Sequence, residues 1–156
     1  MKIFLIGLMG SGKSYWTQQL AKKYKTGGYD LDYLIEVREE KTIAEIFAED
    51  GEDYFRKAES TVLKWFDQKK TYVLATGGGA PCFFDNMAWM NKQGITIWLD
   101  EPLPVIAARL APEKAHRLRG AVDLLGHGDH EPAAREDQRA KAVIGGSCHD
   151  HCLLVR

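Results

Sequence analysis

The chain has 156 residues and a formal net charge of −1, with 28% charged and 45% hydrophobic residues. That length suits one domain able to bury roughly two-thirds of its unfolded surface without staples, and the balanced charge argues against nucleic acid or an acidic membrane surface as partner. Three cysteines, an odd count with no secretion signal ahead of them, argue against a disulfide framework and for a cytoplasmic protein.

Ile3 to Ile6 is a short apolar run, too short to span a bilayer. It leads into Gly7-Leu8-Met9-Gly10-Ser11-Gly12-Lys13-Ser14, which fits G-x-x-x-x-G-K-[ST], and then into a helical pattern from Ser14 to Lys25 through Trp16, Leu20, Ala21 and Tyr24. A strand, a glycine loop and a helix in that order define a phosphate-binding loop. Its glycines let backbone N–H groups turn inward, the helix N-terminus adds partial positive charge, and Lys13 adds a full one. Ser14 offers a hydroxyl to magnesium.

After the break Thr26-Gly27-Gly28 comes Tyr29-Asp30-Leu31-Asp32. Two carboxylates at the carboxyl end of a second strand face the phosphate site, although aspartates at such a junction also serve as helix caps. Thr42-x-x-Glu45 is a capping box opening a helix with Ile43, Ile46 and Phe47 on one face. Beyond Gly51 a second helix, Glu52 to Phe66, repeats the pattern with Phe55, Ala58, Val62, Trp65 and Phe66. By periodicity alone Arg56 is a surface charge paired with Glu52 or Glu59.

Tyr72 to Thr76 is a strand ending in Gly77-Gly78-Gly79, a run that either is a turn or brings backbone close to a ligand. Asp85 to Gln93 reads as a helix stopped by Gly94, Ile95 to Leu99 as a strand, and Asp100 as a cap for a helix carrying Pro102 and Pro104 in its first turn and Arg109 near its end, before Pro112. Strands alternating with helices predict a parallel sheet covered on both faces.

Past about residue 115 the texture changes. All Phe, Tyr and Trp lie at or before Trp98, and all five His at or after His116. A helix around Pro132 to Val143 and a closing strand at Leu153 to Val155 are expected. Cys148, His149, His151 and Cys152 have metal-binding atoms but are too closely spaced for a structural zinc site.

The assembled motifs resemble the shikimate kinase family over about residues 1–111. The loop Gly7 to Ser14, Asp30-Leu31-Asp32 with Ile35-Glu36, Ile43-x-x-Ile46-Phe47 with Gly51-Glu52 and Phe55-Arg56, Gly77 to Gly79, Trp98-Leu99-Asp100 and Arg109-Leu110 follow the family's order. The resemblance implies a three-layer α/β P-loop NTPase fold of the nucleoside-monophosphate-kinase type with a five-stranded parallel sheet. It implies that ATP, with magnesium, phosphorylates the 3-hydroxyl of shikimate in aromatic amino-acid biosynthesis.

By the same likeness Gly10, Ser11, Gly12, Lys13, Ser14, Tyr15 and Arg109 bind nucleotide, Arg109 packing on adenine. Ser14 and Asp30 serve magnesium, Asp30 through water. Asp32, Arg56 and Gly77, Gly78 and Gly79 bind shikimate, with Asp32 beside the attacking hydroxyl and Arg56 on the ring carboxylate. Lys13 and Asp32 act in catalysis together with Arg117, which stands for a lid arginine over the nucleotide, and Arg135 stands for a second carboxylate-binding arginine. The family's proline after the lid arginine and aromatic after the second arginine are missing here. Residues 1–156 are expected to form one domain with a lid at 112–126, an atypical tail at 118–156, and a monomeric state with small molecules as its only partners. Two rivals are a nucleotide-binding module without turnover and a kinase for another polyhydroxy acid such as gluconate.

Overall fold

The computed structural model describes residues 1–66 and 70–110 and the backbone of 152–155. In chain order these form β1 (Lys2–Ile6), α1 (Lys13–Lys23), β2 (Gly27–Asp30), α2 (Leu31–Glu39), α3 (Ile43–Glu49), α4 (Glu52–Trp65), β3 (Tyr72–Ala75), a 3₁₀ turn (Ala80–Cys82), α5 (Asn86–Gln93), β4 (Ile95–Leu99), a helix α6 over 103–110, and β5 (Cys152–Val155). The expected lid at 112–126, Arg117, Arg135, the 132–143 helix and the side chains of the His/Cys cluster lie outside the described residues.

The sheet runs β2-β3-β1-β4-β5 and every pairing is parallel. Alternate residues of a strand face opposite sides, and β1 shows this directly. Ile3 and Leu5 pack with Ala21 of α1 and Val73 on one face, while Phe4 and Ile6 join Leu31, Ile35, Phe55, Val62, Leu63, Met87 and Met90 from α2, α4 and α5 on the other. With both faces covered, β1 is apolar from Ile3 to Ile6 and β3 is buried along its whole length. The result is the three-layer α/β architecture expected.

Several local features differ from the sequence expectation, each for a physical reason. β2 takes in both glycines instead of starting after them, and Gly28 lies against α1 with no room for a side chain: a Cβ there would stand 3.0 Å from the Ala21 Cβ and 3.1 Å from the Thr17 Cγ2. For the same reason α1 buries small residues, Thr17 and Ala21, and leaves Trp16 and Tyr24 exposed. On α4 the buried stripe takes Leu63, while Trp65 is 59% exposed. α6 opens with the Pro102 carbonyl accepting from the Val105 and Ile106 amides. The Thr42 capping box forms as expected, with Thr42 Oγ1 accepting from the Glu45 amide and Glu45 from the Thr42 amide.

Because β1 and β3 are neighbours running the same way, the loops leaving their carboxyl ends come side by side, and β2 delivers its end next to both. That is where an open parallel sheet binds ligands.

Candidate active site

The phosphate loop spans β1 and α1. Gly10 and Gly12 hold φ of 78° and 91°, the left-handed region that glycine reaches without strain. Gly12 is the N-cap of α1 and offers no side chain to it, so the first-turn N–H groups are left for an anion. Lys13 Nζ donates to the carbonyls of Gly7 at 2.8 Å and Leu8 at 2.9 Å, folding the ammonium back over the loop. Burial lowers its pKa to about 8, against the opposing pull of Asp32 and Asp30. Arg109 crosses the outer side of the loop, donating to the Gly10 carbonyl and pairing with Glu101. Tyr15 is exposed, its ring edge-on to Trp16.

Asp30 ends β2 and caps α2, one carboxylate oxygen accepting from the Asp32 amide at 3.0 Å. Both readings of Asp30-Leu31-Asp32 therefore meet in one element: the aspartates stand at a strand end, and the first of them is a cap. Leu31, Leu34 and Ile35 carry the helical spacing that would have revealed α2. Ser14 and Asp30 line a common cavity of about 130 Å³ with Thr17, Gln18, Gly28, Tyr29 and Ala75. A hydroxyl and a carboxylate are hard oxygen donors, so the residues present fit magnesium.

Asp32 lies in the first turn of α2 with Oδ1 buried and without a hydrogen-bond partner. Burial and the charge of Asp30 raise its pKa, opposed by Lys13. Arg56 on α4 reaches the same place. Its side chain is 11% exposed; Nη1 pairs with Glu59 at 3.2 Å, Nη2 with Glu52 at 3.2 Å, and the guanidinium stacks on Phe83 at 4.1 Å from the ring centroid. Arg56 is therefore an oriented fork held from three directions and not a solvated surface charge.

Glu59 is a residue that sequence reasoning set aside as one possible surface partner. It is fully buried, its Oε1 has no partner, and burial raises its pKa to about 7 against the pull of Arg56. The available signal was its position. Glu59 stands four residues after Phe55 and three before Val62, inside the apolar stripe of α4, and a charge there needs a reason.

The three glycines after β3 bring these parts together, each approached by a different one. A Cβ on Gly77 would stand 2.7 Å from Glu59 Oε1 and 2.9 Å from Asp32 Oδ1. On Gly78 it would stand 3.4 Å from the Met9 amide nitrogen of the phosphate loop, and on Gly79 2.9 Å from both Arg56 terminal nitrogens. A carboxylate, a phosphate cradle and a carboxylate-reading fork thus converge on one strip of bare backbone.

A phosphate loop on a parallel α/β sheet, facing an anion clamp and a buried acid, defines a P-loop phosphotransferase for small molecules. Comparison with known proteins narrows the class. The family model described as shikimate kinase matches residues 9–139. The shikimate kinase of Bacteroides fragilis is 43% identical over 125 residues, 79% of this chain and 70% of that protein. The shikimate kinase of Parabacteroides distasonis is 44% identical over 109 residues, 70% of this chain and 63% of that protein. Among solved structures, shikimate kinase from Bacteroides thetaiotaomicron superposes with TM-score 0.70 at 34% identity, covering 95% of this chain and 76% of that one. Shikimate kinase from Acinetobacter baumannii in complex with shikimate gives TM-score 0.75 at 26% identity, covering 99% and 82%. The chain belongs to the shikimate kinase family.

Proposed function

We propose that the chain transfers the γ-phosphoryl group of ATP to the 3-hydroxyl of shikimate, giving shikimate 3-phosphate and ADP. The observation that carries this reading is the convergence on Gly77 to Gly79, where Arg56, Asp32 and the phosphate loop stand within reach of one small acceptor. Arg56 meets the ring carboxylate fork to fork, which fixes orientation as well as position. Asp32 takes the proton of the attacking hydroxyl as the new P–O bond forms and the bond to ADP breaks. Lys13 and the loop N–H groups stabilise charge on the transferring group, the main demand of phosphoryl transfer.

Ser14 and Asp30 would hold magnesium, which when bound neutralises charge on the phosphate oxygens. Gly10, Ser11, Gly12 and Tyr15 line the phosphates, and Arg109 packs on the base. Arg117 serves as the lid arginine of 112–126, and Arg135 as a second partner of the carboxylate. This reading takes 1–156 as one domain acting as a cytoplasmic monomer, without nucleic-acid or membrane partners; among the described residues no helix is long and apolar enough to cross a membrane.

Coupled ADP release with shikimate and with gluconate tests the acceptor. Turnover is expected with shikimate and not with gluconate; the reverse result overturns the assignment. Nucleotide binding without ADP release from either acceptor would instead favour a binding module.

A further inference from the structure

The glycine strip is fastened at both ends. At its start Thr76 donates to the Leu5 carbonyl of β1 from its amide at 3.0 Å and from Oγ1 at 3.2 Å. At its end the Ala80 carbonyl accepts from Asn86 Nδ2 at 3.0 Å, and Asn86 Oδ1 accepts from Ser60 Oγ at 2.7 Å. Asn86 is wholly buried in the first turn of α5, and Ser60 is 8% exposed on α4, adjoining Glu59 and one turn beyond Arg56.

A buried side chain–side chain bond that passes on to a backbone carbonyl is an expensive way to fill space. An apolar side chain would fill the same volume without any desolvation cost. What the amide supplies is direction: it fixes the distance from α4, which carries Arg56, to the backbone just after Gly79. Gly79 is the residue against which the Arg56 fork lies, and the Cys82 amide bonding back to the Gly79 carbonyl at 2.9 Å makes the turn rigid beyond it. A polar network satisfied at every member specifies one geometry where packing alone would allow several.

We propose that Asn86 is a positioning residue for the acceptor, setting the spacing between the Arg56 fork and the Gly77–Gly79 backbone through Ser60 and the Ala80 carbonyl. Asn86 touches neither substrate, so its effect passes through Arg56 and Gly79. The proposal rests on the reading of that strip as the shikimate site.

Asn86→Asp in the full chain tests it. Aspartate keeps the size and can still accept from Ser60, but it turns an acceptor onto the Ala80 carbonyl. The expected result is a KM for shikimate raised by about tenfold, the cost of one unpaired buried group, with the KM for ATP and kcat at saturating shikimate within about twofold of the parent. Ser60→Ala should raise the same KM by less. A lowered melting temperature with shikimate KM unchanged, or equal damage to both substrates and kcat, would overturn the proposal in favour of a purely structural role. If the aspartate variant fails to fold, Asn86→Ser, small and still a donor, takes its place with the same expectation.

Amide hydrogen exchange separates this proposal from the functional reading beneath it. The Ala80 and Cys82 amides should exchange about tenfold faster in Asn86→Asp than in the parent. If the parent fails to bind shikimate but the exchange changes, the network stands and the acceptor is wrong. If the exchange is unchanged, the positioning role is wrong whatever the acceptor.

Discussion

Glu59 carries a pH dependence that can be measured apart from catalysis. Its pKa rises from 4.5 to about 7 on folding, chiefly through burial, so the folded chain binds this proton more tightly than the unfolded one. The stability it contributes is complete below pH 4.5 and is lost as pH climbs through 7. A gap of that size corresponds to roughly 3 kcal/mol. Glu59→Gln removes the proton and with it the slope: urea unfolding at pH 5 and pH 8 should show a larger fall for the parent than for the variant. Asp32 is shifted the same way and keeps its own contribution in both, so equal slopes would mean that Glu59 holds no proton near neutrality. Arg56→Ala removes the fork and leaves Glu59 buried without its cation. It should raise the shikimate KM and lower kcat/KM by at least tenfold while ATP affinity holds, and an equal loss of ATP affinity would place Arg56 elsewhere. Lys13→Ala should instead abolish turnover with any acceptor.

At this scale the sequence disclosed what motif spacing encodes. Lys13 stood out by the spacing of its loop, whereas Asp32 and Arg56 were singled out by the resemblance to shikimate kinases, periodicity alone having left Arg56 a surface charge. Glu59 did not stand out, since a helical period records which face a residue occupies and not whether a charge on that face has a partner.

Among the elements, the glycine strip gives graded expectations. Gly77→Ala pushes a methyl into two buried carboxylate oxygens and Gly79→Ala into the Arg56 fork, whereas Gly78→Ala meets only a 3.4 Å contact with the Met9 amide. Shikimate KM should therefore rise strongly for the first and third substitutions and least for Gly78→Ala. A series in which Gly78→Ala is the most damaging for the acceptor would contradict this arrangement. The strip was visible in the sequence as three glycines and the resemblance joined Asp32 and Arg56 to it, but the approach of Glu59 from α4 and of Met9 from the phosphate loop was not legible, because it depends on how separate elements pack. α2 itself was hidden by its own cap: Asp30 and Asp32 drew attention as acids, while the helix they open carries apolar residues only at 31, 34 and 35 before turning exposed at Val37. Gly27 and Gly28 read as a break because glycine is rare in strands. Here the closeness of α1 demands it at Gly28 and the Tyr29 ring at Gly27.

For the whole molecule, alternating strands and helices sufficed to predict a parallel, doubly covered sheet, since crossover connections admit few alternatives. The strand order did not follow from periodicity. It places β1 between β3 and β4, and that adjacency, more than any single motif, brings the phosphate loop to the glycine strip. The same order has a consequence for a chain growing from the ribosome. Every part that converges on the strip is encoded before residue 80, and β4 follows by Leu99, but β4 meets its outer neighbour only when Cys152–Val155 arrives, pairing Thr96 with Cys152 and Leu99 with Val155. Until then Ile95-Thr96-Ile97-Trp98-Leu99 is an open, β-branched edge, the kind of template on which nascent chains pair wrongly. Synthesis stalled anywhere between residues 111 and 151 should yield a chain that already binds nucleotide yet aggregates through β4, and Ile95→Lys, at an exposed position of that strand, should restore its solubility.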